Sequence, residues 1–291
     1  QCTNDKVSEI ACASKSGLAD KAKEVLNFIH SLPPVYELDL NTVRKHRLNP
    51  YEHKITYDVA KQNLTIPCKN HELAARIYRP TKAKNNVLPA LIYFHGGGFV
   101  LGDIESYDKM LAQLCSQSQL VIISVEYRLA PETMFPGAVE DTQESIDWIA
   151  EHADFLKIDS TRVAIGGDSA GANLTTGYCL LNKERTDFKP YFQLLIYPSI
   201  IGNDTSESRQ LFSENLLLTK ELLKWFHQHY ISEEQANVVK AFFKALDIKF
   251  EVQKEKPYNP KFVERVLAAN KQVEEGKTVK IQFKAETYFQ P

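Results

Sequence analysis

No apolar run in this chain approaches the roughly 20 residues that a bilayer-spanning helix needs. The longest, such as Ala90 to Phe94 and Val121 to Ser124, stop far short, so no membrane span is expected. An excess of charge of one sign is missing as well, since Lys plus Arg number 35 against 37 for Asp plus Glu. Without a whole-protein field, nucleic acid and anionic membranes are not the expected partners, and a small neutral molecule suits the balance better. Cysteine is scarce: Cys2, Cys12, Cys68, Cys115 and Cys179 are odd in number, widely spread and lack paired metal-ligand spacing. They read as reduced thiols rather than a disulfide framework or a zinc site, which favours the cytoplasm. The chain begins at Gln1 rather than Met, as a processed, trimmed or fragmentary start would, so a removed signal peptide stays open as an alternative. No G-x-G-x-x-G and no Gly-rich loop ending in Lys-Ser/Thr is present, which argues against a nucleotide phosphate site. No metal or organic cofactor is implied.

What is there suits a globular α/β protein. The chain has 291 residues, 43% of them hydrophobic, enough for a sizeable core. Leu18, Ala22, Val25, Leu26 and Ile29 recur at helical spacing, predicting an amphipathic helix over Leu18 to His30 that Pro33 and Pro34 end. From Lys54 to Arg79, two segments rich in Ile, Thr, Val and Tyr, broken near Pro67 to Asn70, predict paired strands. Short buried runs then alternate with helical stretches: Ala90 to Phe94, Val121 to Val125, Arg162 to Gly166 and Phe192 to Tyr197. The first intervening helix carries Tyr107, Met110, Leu111, Leu114 and Cys115 on one face, and the second carries Val139, Ile146, Ile149 and Ala150. This alternation predicts a mostly parallel, doubly wound sheet, with ligands bound beyond the carboxyl ends of its strands.

The turns at those ends are chemically unusual. Gly167-Asp168-Ser169-Ala170-Gly171 fits G-x-S-x-G between a buried strand and a helix, the context in which a serine is held proud of a sheet as a nucleophile. The bland alternative is an ordinary Gly-rich turn. His95-Gly96-Gly97-Gly98-Phe99 follows the strand Ala90 to Phe94, and its glycines let backbone N–H groups approach a ligand. Gly97, Gly98 and Ala170 are the candidate oxyanion donors to an ester carbonyl attacked by Ser169. His95, Gly96, Gly167, Asp168 and Gly171 are expected to support the motif, His95 structurally and Asp168 without acting as the triad acid.

The third turn reads Glu126-Tyr127-Arg128-Leu129-Ala130-Pro131-Glu132, followed by Phe135-Pro136-Gly137-Ala138-Val139-Glu140-Asp141. In this order, H-G-G-G, Y-R-L-A-P-E, F-P-x-A-x-E-D and G-D-S-A-G resemble the bacterial hormone-sensitive-lipase family of carboxylesterases over about residues 15–230. The resemblance implies an α/β-hydrolase fold and short to medium acyl esters as substrates. It implies that Arg128 and Glu132 stabilise the walls of the site, and that Glu140 and Asp141 anchor a helix. It also implies a cap over Ser169 made of the N-terminal helix and Asp204 to Tyr230, carrying Leu216 to Thr219, Trp225 and Phe226.

The resemblance ends short of the triad's other members. A complete relative would continue with two more strands, an Asp-Pro-Leu-x-Asp turn and a His-Gly-Phe turn. Here the histidines after Ser169 are His227 and His229, and the one aspartate after Asp204 is Asp247. Either histidine is a weak candidate for the general base, a solvated cap-helix face being the better reading. From about Glu233 to Ile281 the chain is similar instead to short bacterial antitoxins, through Pro257-Tyr258-Asn259-Pro260-Lys261-Phe262-Val263 and Glu275-Gly276-Lys277-Thr278-Val279-Lys280-Ile281. A divergent hydrolase C-terminus is the alternative. The expected layout is cap helices over 1–50, a hydrolase core over 51–203, a cap insertion over 204–232 and an antitoxin-like module over 233–291. The junction falls near Ser232. A sheet ending at Phe192 to Tyr197 would expose an apolar edge, inviting aggregation or a partner chain and lowering stability. A protein partner is therefore expected through 233–291 or that edge, and an inactive chimera that binds a toxin is the rival to an ester hydrolase.

Overall fold

The computed structural model describes residues 20–45, 56–83, 85–200, 213–232 and 234–235. These fall within one unit, Gln1–Val238. Cys2, Cys12, the strand-like Ile248 to Val252 and both antitoxin-like motifs lie outside the described residues.

Two short helices come first, α1 (Asp20–His30) and α2 (Leu40–Lys45). Six strands follow in one sheet: β1 (Val59–Pro67), β2 (Glu72–Pro80), β3 (Leu88–Phe94), β4 (Val121–Val125), β5 (Ile158–Asp168) and β6 (Gln193–Ile196). Their spatial order is β1-β2-β4-β3-β5-β6. The segments β4, β3, β5 and β6 run parallel, while β2 pairs antiparallel with both β1 and β4. The expected doubly wound core is therefore present, extended by an antiparallel ribbon. All five residues of β4 and the last five of β3 are buried, which is why these strands are apolar without alternation.

Helix α3 (Ile104–Ser118) follows β3, α4 (Gly137–Glu151) follows β4, and α5 (Ala170–Leu181) follows β5. The pleat sorts their contacts. Leu91 and Tyr93 of β3 join Leu111, Ala112 and Cys115 of α3 on one face, while Ile92 and Phe94 join Ile146, Ile149, Leu174 and Tyr178 of α4 and α5 on the other. Met110, expected on the inner face of α3, is exposed. Helix α3 starts at a capping box in which Ser106 N donates to Asp103 Oδ1 (2.8 Å) and Asp103 N donates to Ser106 Oγ (3.0 Å).

The chain winds from β3 outward to β4, then crosses back to lay β5 on the other side of β3. The carboxyl ends of β3 and β5 thus lie side by side, with Phe94 registered against Gly167. That reversal opens the crevice in which ligands bind in such sheets. It brings His95 and Ser169, 74 residues apart in sequence, to the same end of adjacent strands. Strand β6 is shorter than expected because Tyr197 turns to φ 36°, out of the extended region.

Among the described residues β6 is the sheet's outer strand on this side, and Tyr191, Phe192, Tyr197 and Ile200 around it are exposed. Cys68, Cys115 and Cys179 are free thiols. No helix among the described residues is long and apolar enough to cross a membrane.

Candidate active site

Ser169 sits between the last residue of β5 and the first of α5, with φ 51° and ψ −113°. A non-glycine residue held there costs on the order of 1–3 kcal/mol, so its surroundings must hold it in place. They do so through the backbone: Ser169 N donates to Ile196 O (2.9 Å), and Ser169 O accepts from Asn173 N (3.1 Å) and Ser199 N (3.2 Å). The end of β3 passes so close that a Cβ on Gly171 would lie 1.9 Å from Phe94 O. Glycine at 171 is what lets the strand and the turn touch. The serine is half-buried, and its Oγ makes no hydrogen bond to any described residue.

The Gly-rich loop turns beside it. Gly97 has φ 122°, and Val100 N and Leu101 N both fold back onto its carbonyl at 3.1 and 2.9 Å. That backbone geometry excludes a side chain at 97, where a Cβ would meet Leu101 O at 2.1 Å. Gly96 N is committed, donating to Asp168 Oδ1 (2.9 Å) and Tyr107 Oη (3.1 Å). The N–H groups of Gly97, Gly98 and Ala170, by contrast, have no partner among the described residues. Ala170 N is also one of the orphan donors at the positive end of α5.

Asp168 joins the two turns. Its carboxylate is buried and accepts from Tyr93 Oη (2.9 Å) and Tyr107 Oη (2.8 Å) besides Gly96 N, with Tyr197 Oη at 3.4 Å. Burial first, and the Asp168 charge second, push the phenols of Tyr93 and Tyr107 well above the ordinary tyrosine range, so both remain O–H donors. His95 is fully buried in the loop wall. Its Nδ1 lies 2.8 Å from Gly96 O, its ring stacks on Tyr127 at 4.4 Å, and its carbonyl accepts from Tyr127 Oη (2.8 Å).

The third turn is held from two directions. Asp141, fully buried, receives Arg128 N (2.7 Å), Arg128 Nε (2.9 Å), Arg128 Nη2 (2.7 Å) and His71 Nε2 (2.8 Å). Glu140 lies farther from Arg128 Nη2, at 3.7 Å. Glu132 does not share this cluster. It takes a two-pronged pair from Arg44 of α2 at 2.7 and 3.0 Å, while Arg44 also donates to Val100 O (3.0 Å) and Ala130 O (2.7 Å). Arg44 went unremarked in the sequence because nothing local marks it; its partners lie 56 to 88 residues away.

Helix α6 (Lys220–Tyr230) covers the loop. A Cβ on Gly98 would come within 2.3 Å of the Phe226 ring, and Tyr230 stacks on Phe99 at 3.9 Å. Neither histidine of α6 hydrogen-bonds Ser169. His227 is exposed, and His229 donates through Nδ1 to Trp225 O (2.8 Å) with its ring against Trp225 at 4.3 Å.

Residues 91–254 match a family model described as the alpha/beta hydrolase fold. This chain belongs to the α/β-hydrolase family. A carboxylic ester hydrolase, LipN, from Mycobacterium tuberculosis (strain ATCC 25618 / H37Rv) is 37% identical over 180 residues, covering 60% of this chain and 47% of the relative. An ethyl acetate hydrolase from Pseudomonas putida is 37% identical over 164 residues, covering 55% and 51%. The chain thus spans about half the length of these curated relatives. Among solved structures, ester-hydrolase EH1AB1 from the metagenome of Lake Arreo superposes with TM-score 0.70 at 32% identity, covering 74% of this chain and 71% of that one. Residues 227–286 match a second model, for a protein family of unknown function (DUF2683).

Replacing Asp168 by Asn removes one acceptor oxygen and the charge from a buried cluster of four donors. The Asp168→Asn variant should lose about 2–3 kcal/mol in urea unfolding, with faster amide exchange at 96–102 than in the wild type. Unchanged stability and exchange would contradict the role given to the carboxylate. The Arg44 pair holds the Glu132 carboxyl below its usual value of 4.5, so its stabilisation is complete above that pH and is lost as pH falls below it. The stability difference between wild type and Glu132→Gln should therefore be present at pH 7 and shrink on acidification below 4.5.

Proposed function

We propose that the chain is a carboxylic ester hydrolase in which Ser169 is the nucleophile and the N–H groups of Gly97, Gly98 and Ala170 form the oxyanion hole. One observation carries this reading: three uncommitted N–H donors lie in the two turns that Asp168 ties together, one of which holds the half-buried Ser169 at φ 51°. Attack by Ser169 Oγ on the acyl carbon moves an electron pair onto the carbonyl oxygen. Fixed donors aimed at that oxygen are each worth roughly 3–4 kcal/mol in the transition state. Collapse of the tetrahedral intermediate expels the alcohol, and water then releases the acid from the acyl-serine. The names of LipN and of the ethyl acetate hydrolase support an ester as the substrate. The near balance of charge supports a neutral one.

Phe226, set against Gly98, would close the acyl side of the pocket, which suits short to medium chains. The serine proton passes to solvent water and the departing alkoxide is protonated from water, because neither histidine of α6 is placed to carry the proton. His229 is committed to Trp225 O, and His227 faces solvent. The separate family match from residue 227 onward supports treating 233–291 as a module of its own, and its antitoxin-like motifs make a toxin-like protein its proposed partner.

The test is hydrolysis of p-nitrophenyl acetate by the purified chain beside Ser169→Ala and a double His227→Ala/His229→Ala variant. Activity well above the Ser169→Ala background is expected, and the double variant should keep it within a few-fold. Equal rates for the wild type and Ser169→Ala would overturn the assignment.

A further inference from the structure

We infer that Arg44 of α2 is a positioning residue for the site: its guanidinium fixes the Gly-rich loop, and with it the Gly97 and Gly98 N–H groups, where an ester oxygen can use them. The inference rests on the esterase reading and adds to it a residue from outside the three turns. Helix α2 is short and is set down firmly at its start. Asp39 caps it by accepting from Thr42 N (3.0 Å), and Leu40 packs against the core. Arg44, in its last turn, then reaches the loop.

The guanidinium makes four hydrogen bonds at once. Nε donates to Val100 O (3.0 Å) and Nη2 to Ala130 O (2.7 Å), while Nη1 and Nη2 grip the Glu132 carboxylate at 2.7 and 3.0 Å. Ala130 N donates to Phe99 O (2.9 Å), so the fork closes a bridge from the Gly-rich loop to the third turn. Val100 and Ala130 are fully buried, where a carbonyl without a donor is costly. Val100 N in turn donates to Gly97 O (3.1 Å). The path from Arg44 to Gly97 thus runs through two hydrogen bonds, one on each side of Val100.

Position is what oxyanion donors need. They act only at about 2.7–3.1 Å from the developing charge, and a misplacement of about 1 Å can cost roughly 100-fold in rate. The Glu132 side is exposed, where an ion pair contributes little stability, so its part is to hold the plane of the fork. Lysine keeps the charge, but it is a point donor on a flexible stem and cannot span both carbonyls and the carboxylate in one plane. Arg185 offers a matched comparison, since it grips Asp147 and Asp187 with a similar fork. It lies beyond the far end of α5, a helix of 12 residues, and hence about 18 Å long, that starts next to Ser169.

The experiment measures p-nitrophenyl acetate hydrolysis by the full chain beside Arg44→Lys and Arg185→Lys, with amide exchange on all three. In Arg44→Lys, kcat should fall about tenfold or more with KM within about twofold, and the Val100 and Leu101 amides should exchange faster while those of β4 do not change. Arg185→Lys should keep the wild-type kcat and protection. Arg44→Gln stands in, with the same expectations, should Arg44→Lys fail to fold. A kcat for Arg44→Lys within about twofold of wild type, an equal loss in Arg185→Lys, a change in KM alone, or wild-type protection at Val100 and Leu101 would each overturn the inference. Should the wild type hydrolyse no faster than Ser169→Ala, the esterase reading falls by itself. Faster exchange at those two amides in Arg44→Lys then upholds the positioning, and unchanged exchange overturns it.

Discussion

One buried carboxylate organises the site. Asp168, the last residue of β5, stands beside the Ser169 turn and receives hydrogen bonds from Tyr93 of β3, Gly96 of the Gly-rich loop and Tyr107 of α3. A buried charge is tolerated only when its donors are in place, so Tyr93, Tyr107 and Gly96 N must all be correctly positioned for the fold to accept it. That requirement fixes the Gly-rich loop relative to the Ser169 turn. The strained φ of Ser169, held by its backbone bonds to Ile196, Asn173 and Ser199, and the positive φ of Gly97, held by Val100 N and Leu101 N, are two further constraints in the same turns.

Around this centre, charge is used to tie distant segments to the loop. Arg44 bridges the N-terminal helix α2 to Val100, Ala130 and Glu132, and Asp141 gathers Arg128 and His71. The first clamp is partly open to solvent and contributes mainly position; the second is buried on the Asp141 side, and its loss would leave an unpaired charge inside the protein. Aromatic contacts finish the enclosure, with Phe226 and Tyr230 of α6 against Gly98 and Phe99.

Much of this was legible in the chain itself. The run Ala90 to Phe94 and the run Val121 to Val125 announced buried parallel strands, and G-D-S-A-G announced a tight turn between a strand and a helix. The antiparallel pairing of β2 with β4 was not, because the strands lie some 40 residues apart and a buried strand carries no mark of its neighbour's direction. The Tyr93–Asp168–Tyr107 cluster was hidden for a related reason: each tyrosine reads as core filler until the sheet sets its hydroxyl beside the carboxylate. Glu132, expected with Arg128 to stabilise the walls of the site, pairs with Arg44, a partner that only the folded chain supplies.

The central claim is that the turn and the loop present Ser169 to a ready-made oxyanion site. Its most direct test is covalent labelling with a short-chain alkyl fluorophosphonate, in which the serine oxygen displaces fluoride and the phosphoryl oxygen occupies the place of the ester's oxyanion. The account predicts a single adduct per chain, mapped by peptide mass spectrometry to Ser169 and lost when the protein is unfolded in urea before labelling. An adduct on another residue, or none on the folded chain, would contradict it.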